Sequence, residues 1–214
     1  MKERVFLVVL AAVLLSACVS NIGRPNVIYK NNFENGGTGN IANGRTDFFE
    51  GRKVLGRYYE GGFVLELSKI KPHDLIKVSF DLFIHDSWDG NADKPAGPDI
   101  WIMDLDKTNY IYTTFASGLC EGKACNTQSF PKISFPFTNN SANSNAIRTN
   151  LPGACSFRGK LGGTSMYRIE RTAFHTSSTF SLGCFAQLEH ESEDKACDES
   201  WSIDNLEITT VAYK

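Results

Sequence analysis

The sequence predicts an all-β protein, an antiparallel β-sandwich or jelly roll. Three observations carry that reading. Apolar residues recur with a period of two rather than three to four, as in strands with one face on a core. β-Branched and aromatic residues, which suit a pleated surface, concentrate in those runs. Glycine and asparagine clusters (ENGGTGN, DGNADKPAGP, NNSANSN and GKLGG) separate them. Many short strands punctuated in this way make a sandwich or barrel.

The first clear run is Phe63-Val64-Leu65-Glu66-Leu67. Ile76 to Ile84 alternates and becomes fully apolar at its end. Pro98 to Met103 and Tyr110 to Phe115 read as the next strands. Residues 138–150 read as a polar loop. Met166 to Thr172, Thr179 to Leu182 and Phe185 to Leu188 alternate again, and Trp201 to Thr209 closes the chain. Beyond the N-terminal segment no helix longer than two turns is expected, and no repeat is visible.

The N-terminal MKERVFLVVLAAVLLSACVS places Lys2 and Arg4 before an eleven-residue apolar run, Val5 to Leu15. That is too short to span a bilayer, which takes about 20 residues, and it fits a secretion signal. Leu15-Ser16-Ala17-Cys18 resembles the bacterial lipobox. The resemblance implies cleavage before Cys18, acylation of its thiol and a membrane partner through that lipid anchor. With Val19 in place of an aspartate, it implies the outer membrane if the host is Gram-negative. The expected organisation is a signal over 1–17, a lipid anchor and short tether over 18–32, and one sandwich domain over 33–214. From Cys18 onward there are 20 basic and 23 acidic side chains and no basic patch. Nucleic acid is therefore not an expected partner.

Five cysteines follow Cys18, and an exported chain meets an oxidising compartment. Cys120 and Cys125 are close enough to staple a small loop. Cys184 and Cys197 flank a polar excursion and are expected to close it, leaving Cys155 over. C-x4-C without a second Cys/His pair is a poor zinc pattern.

Oxygen-bearing residues gather in three stretches: Asn32 to Gly36, Asp86 to Asp99, and Asp198 to Asn205. Calcium takes six to eight oxygen ligands. Adjacent first and last strands, common in jelly rolls, would bring Glu34 near Asp204, and a strand-end loop would add Asp86, Asp89, Asn91 or Asp99. These six are the candidate ligands of a structural Ca2+. The spacing is not an EF-hand, because Lys94 and Ile100 occupy the glycine and terminal glutamate positions. Asp and Asn also form turns by bonding their own backbone. That reading is preferred for Asp93 and Asp198 and stays open for Asp86, Asp89 and Asp99. Trp88 and Trp101, beside this loop, are candidate ligand contacts, although tryptophans such as Trp88 and Trp201 also suit a core. His175 reads as structural.

DSWDGN (Asp86–Asn91), GPDIW (Gly97–Trp101), QSFP (Gln128–Pro131) and DESWSIDN (Asp198–Asn205) resemble a recurrent extracellular bacterial β-sandwich module. The resemblance spans about residues 48–209. Ser202 stands where that module has glycine, and the Cys120–Cys125 segment and Cys155 lie outside its pattern. The module is similar to jelly-roll lectin-like and carbohydrate-binding modules, whose FE-x-G start and IDN end often frame a calcium.

No paired-carboxylate E-x-D-x-x-E run, H-E-x-x-H or G-x-S-x-G occurs. Glu189, Glu191 and Glu193 alternate in a polar segment that reads as solvated loop. The expected function is a non-catalytic, lipid-anchored envelope module binding a glycan or a partner protein. The alternatives are a structural envelope lipoprotein and, below it, a glycan-active hydrolase.

Overall fold

The computed structural model describes residues 23–120, 122, 124–189 and 194–213, so Cys18 and the expected signal lie outside the described residues. The described chain forms β1 (Asn26–Asn31), β2 (Ile41–Ala42), β3 (Thr46–Phe49), β4 (Arg52–Tyr58), β5 (Gly61–Ser68), β6 (Leu75–Asp86), β7 (Ile100–Leu105), β8 (Thr108–Thr114), β9 (Arg148–Pro152), β10 (Leu161–Phe174), β11 (Thr179–Gln187), the single turn α1 (Lys195–Asp198) and β12 (Glu199–Val211). The strands make two antiparallel sheets, ordered β3-β4-β12-β6-β10-β9, with β1 also on β12, and β2-β5-β11-β7-β8. The protein is an antiparallel β-sandwich.

β6 shows how the sequence builds it. Ile76, Val78, Phe80, Leu82 and Ile84 join the main core between the sheets. Asp81, between them, pairs with Arg168 on the outer face. Phe83 also points outward, yet it is buried with Phe49, Val54 and Leu151 in a second, smaller cluster. The β3–β4 hairpin and β9 cover that end of the sheet, which is why β6 turns wholly apolar there. Trp88, Trp101 and Trp201 fill the main core, the last two edge to face at 5.9 Å. Burying each large side chain contributes about 1.5–3 kcal/mol.

β12 is long enough to hold two partners on one edge: Trp201 to Ile203 pair with β4, and Leu206 to Thr210 pair with β1. Between them the register breaks at Asp204 and Asn205, where Asn205 takes φ 53°. The first and last strands are thus neighbours, as expected. Residues 26–31, read as tether, belong to the sheet instead, because Val27 to Asn31 complete the ladder of β12. Thr179 to Gln187 is one strand, since Gly183 and Cys184 continue its pairing on both sides.

Cys120 and Cys125 form a disulfide. Cys197 pairs with Cys155, not with Cys184. Cys184 lies in mid-β11 with its thiol inside the sandwich, opposite Phe63 and Met103, where it cannot reach the surface segment carrying Cys197.

Candidate acidic centre and loop cleft

One end of the sandwich gathers the loops after β6, β8 and β9 together with α1. Asp89 sits in the first of these loops, Asp99 immediately before β7, and Glu199 opens β12. Each offers an oxygen within 4.8 Å of the other two. The loop folds back on itself here: the Asp89 N–H donates to the Asp99 carboxylate, and the Asp99 N–H donates to the Gly90 carbonyl at 2.9 Å. Asp99 and Glu199 are 0% and 1% exposed. Burial, opposed by backbone N–H groups of Asp89 and Glu189, pushes Asp99 up to about 7. Burial, then repulsion from Asp99, raises Glu199 further still. Among the described residues no cation is a leading cause of either shift.

The sequence identified Asp89 and Asp99 as ligands but not Glu199, although it lies in the oxygen-rich stretch Asp198 to Asn205. Its signal was its position two residues before the buried Trp201, at the start of the last strand. The other four candidates lie elsewhere, each engaged with the protein itself. Asp86, at φ 67°, turns its carboxylate onto the N–H groups of Cys155 (3.0 Å) and Phe157 (3.0 Å) and so holds the 153–160 loop. The Asn91 amide donates to the Thr138 carbonyl at 2.9 Å and to Asn139 Oδ1 at 3.0 Å, and its oxygen accepts from the Thr114 hydroxyl. Glu34 receives the Lys53 N–H at 3.4 Å. Asp204 faces the Arg52 guanidinium at 3.6 Å, so an arginine stands where a cation between the first and last strands was expected.

Beside the acidic centre opens a cleft of about 460 Å³. Ser87, Asp89, Ser117, Asn126 and Asp198 give it polar walls, with the Cys120–Cys125 disulfide along one side. Asn126 donates to Asp89 Oδ1 at 2.6 Å, and the Ser87 hydroxyl donates to Asp198 Oδ1 at 2.9 Å. Among the described residues that line the cleft there is no Lys, Arg or His. Trp88 lies behind its wall at 1% exposure, with Nε1 donating to the Ser200 carbonyl at 2.9 Å. Trp101 is fully buried. Neither ring presents a face to a ligand, because both are spent on the core.

The residue that fixes the far side of these loops is Gln128, fully buried. Its Oε1 accepts from the N–H of Ala116 (3.3 Å), the N–H of Asn143 (3.0 Å) and the Tyr167 hydroxyl (3.2 Å). Its Nε2 donates to the carbonyls of Phe130 (3.0 Å) and Ser144 (3.1 Å). The 138–150 segment, read as an open polar loop, is bound to the sandwich through this amide.

No family model matches the chain, and no curated protein sequence matches it. Solved structures resemble it distantly. Dimeric latent PorU from Porphyromonas gingivalis aligns at TM-score 0.38 and 8% identity over 70% of this chain, which spans 10% of that one. A family 35 carbohydrate-binding module from Clostridium thermocellum aligns at 0.36 and 9%, over 86% of this chain and 97% of that one. A carbohydrate-binding module (CBM6cm-2) from Cellvibrio mixtus lichenase 5A, in complex with cellotriose, aligns at 0.36 and 11%, over 86% and 98%. At these scores no residue of this chain is assigned a counterpart in theirs.

Proposed function

We propose that this protein is a non-catalytic, lipid-tethered module that binds a glycan at the cell envelope. The observation that supports the reading is the loop cleft. Its walls carry two carboxylates, two hydroxyls and an amide, with no cation among the described lining residues. Such a surface accepts hydrogen bonds from hydroxyl groups and repels phosphate or carboxylate ligands. It stands on strand ends, where a rigid scaffold positions binding loops. The buried acids Asp99 and Glu199 are closed off from any substrate oxygen, which favours a binding role over hydrolysis.

The acidic centre is proposed to hold calcium. Its donors are hard carboxylate oxygens, the set that suits calcium or magnesium rather than softer metals. Asp89, Asp99 and Glu199 would hold the ion, which would neutralise their charge and fix the cleft wall. The anchor is proposed to be an acylated Cys18, which a Cys18→Ala change would release from the membrane fraction.

The deciding experiment is to screen the full-length protein, purified in detergent, against immobilised glycans of varied composition. Binding that Asn126→Ala and Ser117→Ala weaken supports the proposal. If no glycan is retained, the reading fails and an assembly role in the envelope takes its place.

A further inference from the structure

A set of aromatic rings lies along the same edge strand that leads into the cleft. Tyr112 on β8 lies parallel to Phe137, with centroids 5.7 Å apart and planes 11° apart. Phe135 meets Phe137 edge-on at 5.6 Å and is 73% exposed. Leaving a phenylalanine in water forgoes the burial that stabilises a fold, so packing does not explain Phe135. The segment carrying it is firmly held. The Tyr112 N–H donates to the Ile133 carbonyl at 2.9 Å, and the Thr113 hydroxyl to the Lys132 carbonyl at 2.6 Å. Thr138 is bonded to Ser129 through both its N–H and its hydroxyl. The apolar strip continues across the outer sheet face, with Ile102 opposite Tyr112 and Phe185 opposite Ile102.

The rings are tied to the cleft. Asn91, two residues beyond Asp89, donates to the carbonyl of Thr138, next to Phe137, and to Asn139 Oδ1. Tyr112 and the cleft residue Ser117 are five positions apart, at most about 17 Å of extended chain. An aromatic face carries negative charge density and attracts the partly positive C–H face of a sugar ring. A nucleic acid would stack equally well, but its phosphates would meet the carboxylates of Asp89 and Asp198 in the cleft, where no described lining residue is a cation.

We propose that Tyr112, Phe135 and Phe137 form a stacking platform for one ring of a glycan whose neighbouring residues occupy the cleft. The ligand is then an oligosaccharide lying along the β8 edge, not a monosaccharide. This inference rests on the glycan reading of the cleft.

The test measures binding of the full-length protein in detergent to an array of defined oligosaccharides, one to six residues long, for wild type, Phe135→Ala and Asn126→Ala. Phe135 is exposed, so its replacement leaves the core intact, and an unchanged thermal midpoint verifies this. The platform predicts affinity that rises with chain length. It also predicts that Phe135→Ala loses about tenfold or more on the longest ligand and keeps wild-type affinity for the shortest one bound, whereas Asn126→Ala weakens both. Wild-type affinity of Phe135→Ala for every length overturns the platform and leaves the cleft reading standing. A change in oligomeric state by Phe135→Ala, without an effect on glycans, overturns it in favour of a contact between copies. Absence of binding by wild type to any array member overturns both readings together.

Discussion

The carboxyl groups of Asp99 and Glu199 bring oxygens within 4.8 Å of each other inside the sandwich. Two carboxylates held this close in a buried site repel each other, so one of the pair keeps its proton more tightly. Both groups are raised above their ordinary values, first by burial. A raised carboxyl holds its proton in the folded state after the unfolded chain has released it. Its contribution to stability is therefore complete below the unfolded value, near pH 4, and is lost as pH rises through the folded value. Without metal, the thermal midpoint should fall by several degrees between pH 5 and pH 9. Glu199→Gln, which keeps the size and removes the charge, should flatten most of that slope. A slope identical in wild type and variant would show that the pair does not share a proton.

Calcium at this centre would compete with that proton. Metal ligands must be deprotonated, so the gain from calcium should grow as pH rises. Thermal melts in EDTA and in millimolar calcium, at pH 5.5 and pH 8, measure this. At 100 times its Kd a ligand adds about 2.7 kcal/mol. Glu199→Gln and Asp99→Asn should abolish the calcium response. Asp86→Ala and Asp204→Ala should lower stability and keep it, since those carboxylates serve peptide N–H groups and Arg52. A calcium response lost only in Asp204→Ala would move the metal to the junction of the first and last strands.

The disulfide map gives a third check. Non-reducing peptide mapping should join Cys155 to Cys197 and Cys120 to Cys125, and Cys184 should react with alkylating reagents only after unfolding. Burial pushes the Cys184 thiol well up, which slows its reaction further. Cys155–Cys197 spans 42 positions, and in the chain-entropy account a closed loop of that size is worth about 4 kcal/mol. Cys155→Ser with Cys197→Ser should lower stability by up to that amount, more than the corresponding pair of changes at Cys120 and Cys125. Equal losses would argue that Asp86 already fixes the 153–160 loop without the covalent link.

The sandwich was legible because alternation reports which side of a strand faces the core, and β5, β6, β7 and β12 each bury one face. β3 and β9 escaped notice because they are short and mostly exposed, pairing at a sheet edge. The acidic loop was legible as composition, not as geometry. Four of the six proposed ligands are consumed by bonds to backbone, amide or arginine groups distant in sequence, and no local pattern records such a partner. The same blindness hid the Cys155–Cys197 link, because Cys184 and Cys197 are closer in sequence but belong to interior and surface. It also hid the exposed rings: nothing local in Phe135-Pro136-Phe137 records Tyr112, and only the fold brings them together.

Gln128 offers the sharpest test of how the cleft loops are held. Its amide joins β10, through Tyr167, to the backbone at Ala116, Phe130 and Asn143–Ser144. Each hydrogen bond contributes about 1 kcal/mol net, but removing one partner strands buried groups at about 1–3 kcal/mol apiece. Tyr167→Phe deletes a single bond and should cost about 1 kcal/mol. Gln128→Ala leaves several buried groups unmatched at once and should cost about 3–5 kcal/mol. Gln128→Glu keeps the shape and the acceptor while turning the Nε2 donor into an oxygen that faces the Phe130 and Ser144 carbonyls. A protonated carboxyl can donate to one of them and a carboxylate to neither. Its deficit should therefore shrink as the pH is lowered from 8 to 5, while that of Gln128→Ala stays constant. Urea unfolding at the two pH values measures both. Equal deficits for the Glu variant at both pH values would mean that the donor half of this amide does not hold the loops.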